Sequence, residues 1–272
     1  MMDDVAAPWA LDPDTRLELR MASMRSHLEQ GEFEQAVLEA EELLDEEPDY
    51  PDALYLLGEA LLDANDPEGA VLAFGRHLEM VGEDLESLLR LGLAAYEICD
   101  VQTAEESVRE VLRRQPDHAL AHYQLSLVLE YQGRATESLS SLILANQLDP
   151  ASFPLPNAWS TDEWKEAIGD ATILLHPRLR RFWSDLPMHL EKAPTREDLF
   201  SSEPPMSPRT LGLIMRPAEA PDAPDQARPE GMRFFLRNLN RAVDYEELVT
   251  WLHASLEREA CEWLGVDPDQ LD

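Results

Sequence analysis

Cysteine, glycine and long apolar runs are scarce in this chain of 272 residues. Two cysteines, Cys99 and Cys261, are too few for a disulfide framework or a cysteine-based metal cluster. There are 11 glycines, and neither a glycine-rich phosphate loop nor a GxSxG motif, so nucleotide binding and serine hydrolase chemistry have no supporting motif. The longest apolar runs are far shorter than a membrane span, and the acidic start lacks the features of a signal peptide. We therefore expect a cytoplasmic protein with free thiols and no membrane insertion.

Basic residues are also scarce, above all in the first part of the chain. Residues 1–152 contain nine arginines, no lysine and 33 acidic residues, and the whole chain has a net charge of −33. Such a surface repels phosphate groups, so we expect neither nucleic acid nor an anionic membrane as a partner. It would attract a partner with a basic face, although the charge could also serve solubility alone.

The first part of the chain repeats with a period of 34 residues. Four units, 17–50, 51–84, 85–118 and 119–152, follow one another without a gap. Position 20 is small in every unit, so two helices of a unit can approach closely, and position 32 holds a helix breaker. The residues at these positions are Ala36, Ala70, Ala104 and Ser138, and Pro48, Gly82, Pro116 and Pro150.

This pattern resembles the tetratricopeptide repeat family over residues 17–152, although position 4 lacks the tryptophan that is commonest there. The resemblance implies a right-handed α-solenoid whose concave face binds peptides or protein surfaces. On this face, we expect partner binding by Met21, Tyr55, Leu62, Leu89, Arg90, Leu93, Tyr96, Tyr123 and Leu127. Only Arg25 and Arg90 could hold a C-terminal carboxylate, so we do not expect the face to bind such a tail. The tyrosines could instead pack on neighbouring repeats or on the C-terminal domain.

The second part of the chain predicts a small α+β domain at 162–272, after a linker at 153–161. Its predicted elements are a helix from Thr161 or Asp162 with a break at Pro177, strands at 188–193, 210–216 and 232–238, and a last helix from Asp244 to Gly265. Residues 217–231 are rich in proline and predict a loop, and residues 1–16 form an N-terminal extension. The predicted fold class is thus mainly α, a repeat solenoid followed by a small α+β domain.

Residues 162–272 resemble the small bacterial zincin-like metallopeptidases. The resemblance rests on HPRLRRFWSDLP before a strand, on LGLIM as a central strand, and on RFFLRNLNRAV before the last helix. In that family the last helix carries HExxHxxG. The key positions of this motif are here Arg258, Glu259, Glu262 and Gly265. Glu259 keeps the place of the general base, while Arg258 and Glu262 replace the two zinc ligands.

Zinc binding by this motif requires two histidines one helical turn apart. Arginine cannot ligate a metal, because it stays protonated and positive. We therefore predict a dismantled site with no metal, no cofactor and no catalytic residue. Arg258 and Glu262 could simply form an ion pair along the helix, or the old cleft could now bind a protein.

We interpret the chain as a non-catalytic adaptor or regulator that binds other proteins through the concave face and, as a second surface, the degenerate cleft. Bacterial signalling or polarity machinery, such as a small GTPase with its activating protein, is one example of a target. Two alternatives stay open. One is a divergent zinc metallopeptidase that uses Glu259 with other ligands, and the other is an assembly factor or chaperone-like protein for a secretion or motility complex.

Overall fold

A computed structural model describes residues 12–202, 205–217, 229–268 and 271. The chain divides into two compact units, Met1–Leu148 and Asp149–Asp272. Most of the predicted N-terminal extension (1–11) and of the predicted proline-rich loop (218–228) lies outside the described residues. Within the described ranges, no helix is both long and apolar enough to cross a membrane.

The first unit is a series of helices in which each helix packs on the next one in the chain. They are α1 (Pro13–Gln30), α2 (Phe33–Glu46), α3 (Pro51–Asp63), α4 (Pro67–Val81), α5 (Leu85–Glu97), α6 (Val101–Arg114), α7 (Ala119–Tyr131) and α8 (Ala135–Leu148). Helix α1 begins four residues before the predicted first repeat. The reason is a cap, because the Asp12 carboxylate accepts a hydrogen bond from the Thr15 amide at 3.0 Å.

Small residues bring the two helices of a unit together, as predicted. The Cα of Gly58 on α3 lies so close to the Phe74 ring on α4 that an added Cβ would be 2.7 Å from it. Gly92 on α5 faces Val108 on α6 in the same way, with a distance of 2.9 Å for the added Cβ. An alanine at either position would overlap a buried side chain, which explains why these two residues, one repeat period apart, are both glycine.

The turn inside each repeat has a left-handed residue, a feature that the residue pattern did not reveal. These residues are Gly31, Asn65, Cys99 and Gly133, with φ of 75°, 63°, 63° and 77°. They are spaced by the repeat period, so the repetition extends to the backbone conformation. Glycine and asparagine adopt this region readily, whereas a cysteine there is strained by its Cβ.

The second unit combines short helices, a three-stranded sheet and one long helix. Its elements are α9 (Thr161–Leu174), α10 (Pro177–Trp183), β1 (Met188–Glu191), α11 (Arg196–Leu199), β2 (Gly212–Met215), β3 (Gly231–Phe235), α12 (Leu236–Leu239) and α13 (Tyr245–Leu264). The strand order is β1–β3–β2, with β1 parallel and β2 antiparallel to the central strand β3. The predicted fold class, mainly α with a small sheet in the C-terminal part, is confirmed.

The core of the second unit is apolar and draws on α9, α10, α13 and β3. Its buried side chains include Trp164, Leu179, Trp183, Met232, Phe234, Leu252 and Leu256. The Trp183 indole nitrogen donates a hydrogen bond to the Leu256 carbonyl at 3.1 Å, which ties α10 to α13 inside the core. A buried tryptophan needs such a partner for its N–H group.

The ends of the elements correct some predictions and confirm others. Helix α9 is capped by Ser160 rather than by Thr161 or Asp162, because Ser160 and Glu163 form a capping box in which each side chain bonds the other's amide. The third strand ends at Phe235, since the chain turns there into α12. Asp244 and Gly265 cap the last helix as predicted.

Candidate functional site

The nine residues predicted to bind a partner differ in burial. Four have no more than 5% of their surface exposed, so these side chains pack inside the array; they are Met21, Leu89, Tyr96 and Leu127. The other five are half-buried, namely Tyr55, Leu62, Arg90, Leu93 and Tyr123. Within the predicted set, the half-buried residues are the ones with surface to offer a partner in this conformation.

Arg90 is the centre of a polar cluster that joins the second and third repeats. Its Nε lies 2.9 Å from a Glu59 carboxylate oxygen on α3 and 3.3 Å from a Glu86 carboxylate oxygen on α5. Arg90 also donates a hydrogen bond to the Tyr55 hydroxyl. Burial, with Glu59 nearby, raises the pKa of Tyr55 to about 12, so the phenol stays neutral. Two carboxylates against one guanidinium leave the cluster negative, which disfavours a carboxylate ligand there.

The predicted aromatic residues do not form a single site. Tyr96 and Tyr123 pack with Leu127 in one apolar cluster, where the Tyr96 ring meets Tyr131 edge-on at 6.5 Å between centroids. Tyr131, the last residue of α7, is not among the nine predicted residues.

Tyr55 belongs to a different cluster. Its ring packs edge-on against Phe74 at 5.8 Å and His77 at 5.7 Å, on the second helix of its own repeat. Leu62 joins the same apolar cluster. The Tyr96 ring thus packs on the neighbouring repeat, as the alternative proposes, whereas these ring contacts of Tyr55 lie within its own repeat. Partner contact by the tyrosines stays a prediction.

Glu259, at the place of the zincin general base, is buried on α13 with 7% of its surface exposed. One carboxylate oxygen accepts a hydrogen bond from the Ile214 amide on β2 at 3.1 Å. The other accepts one from Arg258 Nη2 at 3.0 Å. Strand β2 is an outer strand of the sheet, so this carboxylate satisfies an amide that would otherwise be an unpaired edge donor.

The other motif positions lie near the surface of the second unit. Arg258 and Glu262 are exposed. The sequence suggests an ion pair between Arg258 and Glu262, but Arg258 pairs with Glu259 instead. The reason is that the Ile214 amide holds the Glu259 carboxylate beside it. Gly265 has φ of 60°, and its amide closes the end of α13 on the Cys261 and Glu262 carbonyls, so its role is a helix cap.

Metal-ligand residues are scattered in the part of the chain that the structure describes. No three histidine, cysteine, aspartate or glutamate side chains within these ranges are grouped so that they could hold a metal ion. His176 caps α10 by accepting a hydrogen bond from the Arg178 amide, and His189 is exposed on β1. The residues at the HExxH positions thus do not fit a zinc ion.

The helical series matches a known family. The sequence model of the tetratricopeptide repeat family matches residues 22–83 and 89–152. The first unit is therefore similar to an array of tetratricopeptide repeats. Tetratricopeptide repeats bind other proteins, so the array gives the chain a role in protein–protein interaction. The match ends at residue 152, so it does not extend over most of the second unit.

Several known proteins are similar to part of the chain. The TPR repeat-containing protein PA4667 of Pseudomonas aeruginosa is 27% identical over 158 residues, which are 57% of this chain and 27% of that protein. The matched part thus spans about a quarter of that relative. Among solved structures, MamA from Desulfovibrio magneticus is 25% identical with a TM-score of 0.46, covering 49% of this chain and 75% of that one. YrrB, described as a TPR protein with an unusual peptide-binding site, is 21% identical with a TM-score of 0.46, covering 51% and 75%.

Proposed function

We propose that the chain is a non-catalytic adaptor or regulator. Its repeat array binds one protein through the concave face, and its second unit binds or positions another. The observation that carries this proposal is the tetratricopeptide array, in which half-buried side chains such as Tyr55, Arg90 and Tyr123 retain accessible surface. The proposed targets are components of a bacterial signalling or polarity module, such as a small GTPase and its activating protein.

We also propose that the second unit is a zincin-like domain that has lost its metal site. A general base needs a carboxylate oxygen that a reacting water can reach. Glu259 is buried with 7% of its surface exposed, and one of its oxygens accepts a hydrogen bond from the Ile214 amide of the sheet. This arrangement supports a role for Glu259 in holding the sheet edge instead of in catalysis.

Site-specific photocrosslinking tests the concave face. A photoreactive benzoylphenylalanine replaces Tyr123, which is half-buried, and in a matched control it replaces Leu72, which is exposed on α4. We expect a partner to be crosslinked in cells from position 123 and not from position 72. Crosslinking of the same protein from position 72 alone would contradict binding through the concave face.

Metal content and Glu259 variants test the loss of catalysis. We expect elemental mass spectrometry of the purified, untagged chain, produced with zinc in the medium, to find far less than one zinc per chain. The Glu259→Gln variant should still bind its partner protein. The side-chain amide oxygen of the glutamine can accept the hydrogen bond from the Ile214 backbone amide, so the fold is retained. Glu259→Ala should destabilise the second unit by about 1–3 kcal/mol by leaving that part-buried donor unpaired. One zinc per chain, together with a peptidase activity that Glu259→Gln abolishes, would instead support a divergent metallopeptidase.

A further inference from the structure

Two large aliphatic side chains project from the second unit at the end of α9. Ile173 and Leu174 are 62% and 63% exposed, whereas Trp164, Ala167 and Ala171 of the same helix are buried in the core. A single exposed aliphatic residue is ordinary on a protein surface. Two adjacent ones need a second feature before they indicate an interaction surface.

That feature is a group of arginines on α10. Leu179 and Trp183 occupy the core side of this short helix, so Arg178, Arg180 and Arg181 cover its solvent side. This is three arginines within seven residues of a chain whose net charge is −33. Helix α10 is therefore positively charged, unlike the molecule as a whole.

Arg180 brings this charge to the aliphatic pair. Its Nη2 donates hydrogen bonds to the carbonyls of Ile173 and, at 3.1 Å, Leu175. These carbonyls are at the C-terminal end of α9, where a cation is favourable. Arg178 and Arg181 are exposed, and neither has an ion-pair partner in the ranges that the structure describes. Their guanidinium groups are thus available to an external anion.

We propose that this corner, formed by Ile173, Leu174, Arg178, Arg180 and Arg181, docks an acidic segment of another protein that also carries apolar side chains. The aliphatic pair would bury the apolar side chains, and Arg178 and Arg181 would bind carboxylates in a bidentate manner. The surface lies within the second unit and does not depend on the concave face of the array. It would make the chain bivalent.

A planar anionic membrane fits this corner less well than a narrow segment does. Glu166 and Asp170 are exposed on the same helix as the aliphatic pair. A membrane surface would approach these carboxylates together with the arginines and would be repelled by them and by the charge of the whole chain. A peptide segment can contact the corner while it avoids them.

A peptide display library offers an unbiased test. Random dodecapeptides are selected on the immobilised full chain, and each selected peptide is then measured against an Arg178→Glu, Arg181→Glu double variant. We expect selected peptides rich in Asp, Glu and aliphatic or aromatic residues, whose affinity falls about tenfold or more in the double variant. Leu174→Ser should lower the same affinity by a smaller factor.

Control variants separate this surface from the rest of the chain. Two control variants should leave the affinity unchanged. Lys165→Glu reverses the charge of a side chain near the other end of α9, and Val243→Ser removes an exposed aliphatic side chain elsewhere in the unit. Peptides that bind the concave face should lose affinity for the Tyr123→Ala variant. If no selected peptide does so, binding by the concave face is not supported, but the test of the corner is unaffected. Circular dichroism of each variant checks that the fold is retained.

Three results would overturn the proposal. The first is a selected pool with no acidic enrichment, or one that binds the double variant as well as the natural chain. The second is that no acidic peptide is selected, while phosphatidylserine vesicles bind the natural chain and not the double variant, which would assign the corner to lipid. The third is a concentration-dependent dimer that the double variant abolishes, which would make a second copy the occupant.

Discussion

The two units of this chain hold their helices together in different ways. In the array, the contacts recur: Gly58 against Phe74 is repeated one period later by Gly92 against Val108. In the second unit, the decisive contacts occur once, between residues far apart in the sequence, as in Trp183 with Leu256 and Ile214 with Glu259. A recurring contact can be recognised by comparing repeats, whereas a contact that occurs once has no second copy in the sequence.

The largest effect should come from breaking the single-copy contact of Trp183. We expect Trp183→Ala to destabilise the second unit by about 3–5 kcal/mol, because it leaves a cavity in the core. Trp183→Phe should cost less, since most of the volume remains. Urea unfolding followed by tryptophan fluorescence reports the second unit, which holds five of the six tryptophans. If far-UV circular dichroism shows that the array of the variant unfolds at the same urea concentration as in the natural chain, the damage is local. A lower unfolding midpoint for both units would contradict this.

An intermediate effect is expected from overfilling a recurring contact. Gly58→Ala places a Cβ against the Phe74 ring, so we expect a loss of about 1–3 kcal/mol in the stability of the array. The matched control is Gly75→Ala on α4, where an added Cβ meets nothing within 4 Å. This control should gain about 0.5–1 kcal/mol from helix propensity. Equal effects of the two substitutions on thermal unfolding would show that the close approach does not matter.

The smallest effect concerns the left-handed turns. Cys99→Gly should stabilise the array by about 0.5–1 kcal/mol, because glycine relieves the backbone strain at φ of 63°. Asn65→Gly, at the equivalent turn, should gain less, since asparagine tolerates this conformation. Both are measured by chemical unfolding of the array, and a destabilised Cys99→Gly would mean that other contacts of Cys99 outweigh the strain.

The same difference explains what could be predicted from the sequence. The helix pairs followed from the recurrence of small residues and helix breakers, and the caps Asp244 and Gly265 followed from local residue types. The burial of Met21, Leu89 and Tyr96 could not be predicted. It depends on how the first helix of each repeat is rotated about its axis relative to the helices beside it. The role of Glu259 could not be predicted either, since its partner Ile214 is 45 residues away.

The capping of α9 shows the same limit at short range. Ser160, Thr161 and Asp162 are all good capping residues, so their identity alone leaves the start of the helix open. Glu163 decides it, because only a cap at Ser160 places this glutamate at the position where its side chain can return to the capping residue's amide.

The positions of the two cysteines have a practical consequence. Cys99 is half-buried at a turn of the array, and Cys261 is buried in α13, where burial above all raises the pKa of its thiol. Thiolates react and buried neutral thiols do not, so an alkylating reagent should modify Cys99 first and reach Cys261 only when the second unit opens. The natural chain thus carries one chemical reporter in each unit, and the two modification rates would follow the opening of each unit without any substitution.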